Sequence, residues 1–497
     1  MMQAGCELCG AALEGVEANP ETIRSGEYPV CNPTYVMVDS RLSADAPARR
    51  LYDWLLSEDG QRLVAAEGYV SVMDFAPERK EAAPVTELGG RWEGDWDGLK
   101  PIPDCGKDNK KEKENIMGSL KNLDTILENF VKEGGPAGAG LRVYRGDDCV
   151  YERFLGMADE SKAQPFAADS ICQLASMTKC IAVTAAMQLY EQGKFLLTDP
   201  VEQYIPEFAN RQVYETTGRG EVITRPAKSP VTVGNLFDMT SGITINWNWP
   251  NPNSKALSAA TERLSGAGKY NVQEFAKVCG QIPGAFDPGT HFFYGQSHDI
   301  LGALIEVITG MHFGDYLRKN IFEPLGMEDT FFFVPEEKKD RCAAMYALKD
   351  GKRVPGRLPD MFFEPDFESA CGGLYGTVED YSRFARCMTL GEWNGVRLLG
   401  NRTIDLMRMN RLCPEALKDF TNAYLSGYGY GLGVRTRMDA SAGSNSSVGE
   451  FGWTGGWGTW VLMDPAEKLS IVYAHQLMPN LEEYIHPRIR NIVYSAL

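Results

Sequence analysis

At 497 residues, 43% hydrophobic and 24% charged, the chain has the make-up of a globular protein too long for one ordinary domain. Its net charge of −17 argues against nucleic acid or an anionic membrane surface as partner. No apolar run reaches the length of about 18 residues that a membrane-spanning helix needs. The start, Met1 to Glu7, lacks the basic and apolar stretches of a signal peptide, so the chain as it stands is expected in the cytoplasm. Twelve cysteines without a regular framework fit a reducing compartment. Cys6 and Cys9 form a lone C-x-x-C with no second ligand pair, so neither a zinc site nor a redox pair is expected there.

In chain order, residues 1–75 read as a small α/β piece. Tyr35-Val36-Met37-Val38 is a short apolar run of the kind found in buried strands. Ala48, Leu51 and Leu55 then share one helical face after Pro47, and a second short helix stops at Gly68. Two stretches, Pro20 to Pro29 and Leu55 to Gln61 followed by Gly68-Tyr69-Val70, resemble the closing segment of periplasmic phosphate-type solute-binding proteins. Only the tail of that fold is represented, so no ligand cleft and no binding residues are carried over. The resemblance implies either a truncated fusion or a true start upstream, and the second would place the protein outside the cytoplasm.

Residues 76–115 read as a linker, with Pro77, Pro84, Pro101, Pro103 and the mixed-charge run Lys107 to Glu114. From residue 116 to 497 the pattern is that of a dense domain. Ile116, Leu120, Leu123, Leu127, Phe130 and Val131 trace one face of a helix ending at Gly134-Gly135. Leu141 to Tyr144, a turn at Gly146-Asp147-Asp148 and Cys149 to Tyr151 predict a β-hairpin, and Thr459 to Met463 with Leu469 to Ala474 predict another. A closing helix is expected over 481–496. The fold class is therefore α/β of the α+β type: an antiparallel sheet built from distant segments, covered by helices, with a helical middle.

The chemistry centres on Ala175-Ser176-Met177-Thr178-Lys179. Positions three apart share a helix face, so Ser176 and Lys179 can touch if a helix begins here, and Ile181 to Gly193 is helical in composition. A serine needs a base to lose its proton, and a lysine serves when its charge is disfavoured. A helix N-terminus and burial both act in that direction, which predicts a neutral Lys179. Taken alone, such a tetrapeptide arises by chance in a chain this long.

The surroundings carry more. Gly193 to Val201, Met239-Thr240-Ser241-Gly242, Pro324-Leu325-Gly326-Met327 and Cys371-Gly372-Gly373-Leu374 stand in the order and at the spacing of one family. Over residues 118–480 the chain resembles the class C β-lactamases, penicillin-binding proteins and family VIII carboxylesterases. That resemblance implies an acyl-enzyme on Ser176 with Lys179 and Tyr294 as acid–base partners, Tyr294 opening the second motif in Tyr294-Gly295-Gln296. Gln296 stands for the asparagine of the lactamase branch, and Asp299-Ile300-Leu301-Gly302 is closer to the esterase branch.

The third motif, Lys-Thr-Gly in β-lactamases, reads Trp453-Thr454-Gly455 here, followed by Gly456-Trp457. An indole cannot hold a substrate carboxylate by charge as a lysine does. The resemblance implies an oxyanion hole from the backbone N–H groups of Ser176 and Gly456, and substrate contacts from Gln296, Trp453, Thr454, Gly455 and Trp457. Trp247, Trp249, Phe292 and Trp460 are further candidates for an apolar wall. Ser176 lacks the flanking glycines of a Gly-x-Ser-x-Gly elbow. No histidine pair has metal-ligand spacing, so the five histidines are expected to be structural or surface residues. No metal and no cofactor is implied. The expected activity is hydrolysis or acyl transfer on a small-molecule ester or amide. The competing readings are a β-lactamase or D-amino-acid peptidase, and a non-catalytic binding or sensor module.

Overall fold

The computed structural model describes residues 120–245, 251–356, 366–421 and 424–497. The expected α/β piece over 1–75, the linker over 76–115, and Trp247 and Trp249 lie outside the described residues. The described residues belong to a single compact unit.

Its centre is an eight-stranded sheet. The strands are β1 (Gly138–Arg145), β2 (Asp148–Asp159), β3 (Gln164–Pro165), β4 (Tyr428–Tyr430), β5 (Arg435–Arg437), β6 (Phe451–Thr454), β7 (Trp460–Asp464) and β8 (Leu469–Ala474). Their spatial order is β4-β5-β6-β7-β8-β1-β2-β3. The two ends of the unit therefore meet at the middle of the sheet, where β1 and β8 pair antiparallel with Leu141 opposite Tyr473. Both predicted hairpins are present, β1–β2 longer than its apolar core and β7–β8 turning where Asp464 accepts the N–H of Ala466 at 2.9 Å.

Alternation along the strands sorts side chains to two faces. Leu141, Val143, Trp460, Leu462, Ile471 and Tyr473 face α1 (Asn122–Lys132) and the C-terminal helix, Glu482–Ser495. Leu123, Leu127 and Phe130 of α1 meet them, as the helical spacing of those residues requires. Val461, Met463, Val472 and Ala474 point the other way, into a larger core. That core is built around α2 (Thr178–Glu191), α3 (Ser297–Thr309) and α4 (Val378–Leu390), with α4 lying across β7 and β8. α2 is buried almost all round, so it runs through the core and not over it, and even its Lys179 and Thr184 are enclosed. Each large apolar side chain buried in these two cores contributes about 1.5–3 kcal/mol.

β5 pairs with β6 only at Arg435–Gly452 and Thr436–Phe451, so no described strand pairs with Trp453 and Thr454 on that side. Against that edge stand the start of α2 with the turn before it, and Tyr294 of the segment before α3.

Candidate active site

Ser176 sits in a 3-10 turn, Ala175–Met177, that runs directly into α2. The turn is pinned from three sides. Leu174 N–H donates to the Leu374 carbonyl at 2.8 Å, Thr178 Oγ1 accepts the Leu374 N–H at 3.1 Å, and the Tyr381 hydroxyl donates to the Met177 carbonyl at 2.8 Å. Ala175 is held at φ +48°, a left-handed backbone that costs a non-glycine residue about 1–2 kcal/mol. Lys179, in the first turn of α2, donates from Nζ to Ser176 Oγ at 3.1 Å and to the Cys371 carbonyl at 2.6 Å. The spacing of three residues thus brings the pair together as helix geometry requires.

Tyr294 completes the cluster. Its ring centroid lies 4.6 Å from Lys179 Nζ, and its Oη accepts the indole N–H of Trp453 at 2.8 Å. The expectation of a neutral Lys179 is corrected here. Burial, the largest single influence, does push its pKa down, but Tyr294, Cys371 and Asp299 together hold it above the ordinary lysine value. The helix end and burial left out the polar neighbours that the folded site brings to the ammonium group from distant segments.

The third-motif strand is locked to the serine turn. Thr459 Oγ1 donates to the Leu174 carbonyl at 2.7 Å, and Gly455 N–H donates to the Thr459 carbonyl at 2.7 Å. A Cβ on Gly455 would lie 2.0 Å from Thr459 Oγ1 and 2.3 Å from the Leu174 carbonyl oxygen, so only glycine fits. One on Gly456 would meet nothing within 4 Å. Gly455→Ala is accordingly expected to displace the serine turn and lower ester kcat/KM by about 10²-fold, the cost of roughly an ångström of misplacement. Its Tm should fall, while that of Gly456→Ala stays within about 2 °C of the parent. Thermal melts and steady-state kinetics on the two variants check this.

The remaining expected residues fall as follows. Trp453 is 7% exposed and packs against Tyr294, Tyr430 and Phe420, with ring centroids 5.3, 5.1 and 6.5 Å apart. Phe292 joins the same aromatic group through Phe420 and Tyr430. Thr454 is half-buried, and its side chain hydrogen-bonds Glu482. Trp457 is buried in the turn between β6 and β7, where its carbonyl accepts the Leu477 N–H at 3.0 Å. Gln296 is buried, and its Nε2 donates to Asp299 at 3.4 Å. Trp460 is corrected: strand alternation puts it on the opposite face of the sheet, stacked on His486 at 4.8 Å. His298 and His475 are buried and held down to about 3 by desolvation, while His291 bonds Asp419 at the surface.

Sequence reasoning missed Asp299 and Cys371 as parts of the site, although both lay inside motifs it quoted. Asp299 Oδ1 accepts the Ser369 hydroxyl at 2.8 Å and the Cys371 N–H at 2.9 Å. It missed Phe420 and Tyr430 too, since nothing local marks an aromatic residue as a neighbour of a strand some twenty or thirty positions later.

Residues 123–493 match the family model described as beta-lactamase. Protein Rv1367c of Mycobacterium tuberculosis is 30% identical over 377 residues, 74% of this chain and 91% of that one. Esterase EstB of Burkholderia gladioli is 26% identical over 379 residues, 70% of this chain and 88% of that one. Among solved structures, EstCE1, described as a hydrolase with promiscuous acyltransferase activity, shares the fold with a TM-score of 0.64 at 21% identity, covering 77% of this chain and 99% of that one. With a serine, a lysine and a tyrosine in contact at the end of an antiparallel sheet, the chain belongs to the beta-lactamase family and is a serine hydrolase.

Proposed function

We propose that the enzyme cleaves or transfers the acyl group of small carboxylic esters through an acyl-enzyme on Ser176. As Ser176 Oγ bonds the carbonyl carbon, its proton passes to the Lys179–Tyr294 pair and the carbonyl electrons move onto oxygen. The backbone N–H groups of Ser176 and Gly456 stabilise that oxyanion. Collapse expels the alcohol, which takes the proton through Tyr294, and water or an alcohol then removes the acyl group by the same path in reverse.

The observation that carries the ester reading is the indole of Trp453. It occupies the third-motif position with its N–H committed to Tyr294 at 2.8 Å and its ring in an aromatic group. That wall suits an apolar acyl or alcohol group and supplies no cation for a carboxylate. The names esterase and acyltransferase carried by EstB and EstCE1 support both outcomes of deacylation. Incubation with a fluorophosphonate probe tests the reading. A single adduct on the Ser176 peptide is expected, and an unlabelled or differently labelled protein overturns it.

We also read residues 1–75 as a separate piece resembling a solute-binding-protein tail, joined by the 76–115 linker. A chain beginning near Ile116 keeps α1, which covers one face of the sheet. It is expected to fold and to retain ester hydrolysis within about twofold. Insolubility or loss of activity on assay would make the first segment part of the hydrolase.

A further inference from the structure

We propose that Asp299 is a positioning residue of this site: through the backbone of Cys371 it holds the Lys179 ammonium group against Ser176. The inference rests on the roles given above to Ser176, Lys179 and Tyr294.

The connection is short and continuous. Cys371 offers its N–H to Asp299 Oδ1 at 2.9 Å and its carbonyl to Lys179 Nζ at 2.6 Å. The two peptide groups flanking the Cys371 Cα therefore link an acid to a base, one bond on each side of a single residue. Asp299 is itself clamped, with the Ser369 hydroxyl on Oδ1 at 2.8 Å and Gln296 Nε2 on Oδ2 at 3.4 Å. All three groups donate to it, which is the pattern of an ionised carboxylate, since a protonated one would need an acceptor for its own hydrogen. Burial, the strongest influence, raises the carboxyl above its usual range, and the donors and the Lys179 charge pull it back down. The Asp299 and Lys179 side chains, both fully buried, are thus joined through a single residue, and an acid and a base enclosed in this way hold each other only while that link is intact.

The consequence is chemical. A lysine kept charged cannot take the serine proton, so the proton is relayed through Tyr294: Oη takes it from Oγ as it hands its own hydrogen to the ester oxygen that leaves as the alcohol, with the Trp453 N–H holding Oη in place. Lys179 then stabilises the charge that passes along Oγ and Oη. The other titratable groups facing the pair stay silent. Burial raises the Cys180, Cys279, Cys371 and Tyr430 groups and lowers His298 to about 3.

Asp299→Asn keeps the shape and removes the charge. Losing a negative neighbour makes an ammonium group easier to deprotonate, so the alkaline limb of activity must move to lower pH. The test is hydrolysis of ethyl butyrate by the full chain, followed by titration of released acid from about pH 6 to 9.5. The parent is expected to stay flat to the top of that range. The variant should lose about 10²-fold in kcat with KM within threefold. Its alkaline limb should appear about one pH unit or more below the parent's. A variant profile that is only scaled, with no limb moved, overturns the proposal, as does a loss carried by KM. If Asp299→Asn does not fold by circular dichroism, Ser369→Ala decides. It loosens the carboxylate but keeps the charge, and a kcat equal to the parent's overturns the proposal whereas a three- to tenfold fall at constant KM supports it. An inert parent enzyme, by contrast, overturns the reading of Ser176 itself.

Discussion

Replacing Ser176 with alanine is expected to lower turnover of short p-nitrophenyl esters by at least about 10³-fold, and Lys179→Ala to do the same. The two residues act as a unit. Lys179 Nζ touches Ser176 Oγ at 3.1 Å and lies over the Tyr294 ring, so its removal leaves the serine without its charged partner and the tyrosine without its neighbour. The double variant should therefore be no worse than either single one, because effects within one catalytic unit do not add. Tyr294→Phe removes the oxygen that the Trp453 N–H addresses and should cost about 10²–10⁴-fold, the share of a positioned proton carrier. Lys179→Ala also buries a cavity at the start of α2, so circular dichroism must show the fold intact before its rate is compared. Parent-like turnover in the Ser176 variant would end the assignment.

The second large effect separates esters from β-lactams. Strained lactams are expected to acylate Ser176 slowly, but Trp453 offers their carboxylate no charge-assisted contact, and such a contact is worth about 1.5–3 kcal/mol, or one to two decades in efficiency. Esters of short or aromatic acids are expected to be preferred over any β-lactam by at least about 10²-fold in kcat/KM. Trp453→Lys should narrow that gap, and the structure says how. The substitution places a cation at the third-motif position, but it also removes the donor to Tyr294 and a ring from the Tyr294, Tyr430 and Phe420 group. Most of the narrowing should therefore come from lost esterase activity. Trp453→Phe keeps an aromatic ring but loses the N–H together with part of the indole's bulk, and should slow esters without improving any lactam. A parent enzyme that hydrolyses a chromogenic cephalosporin faster than p-nitrophenyl butyrate would refute this reading of the third motif.

What the sequence by itself determined was local or periodic. A spacing of three from Ser176 to Lys179 becomes one helix face whatever surrounds it, and the partners meet as that spacing requires. Leu123, Leu127 and Phe130 had to share a face, and the β7 and β8 runs had to alternate, so α1 and the last hairpin were readable in advance. Other features waited for the tertiary structure because they join distant segments. Trp460 and Trp453 stand seven residues apart in similar wording, yet the turn between their strands sends one to α1 and the C-terminal helix and the other to Tyr294. The state of Lys179 was read wrongly from a helix end and burial, because charge depends on every neighbour. Its neighbours include a carbonyl 192 positions away and a carboxylate on another helix. Helix and strand signals are set by near neighbours along the chain, while the protonation and direction of a buried group are set by whatever packing brings within a few ångströms.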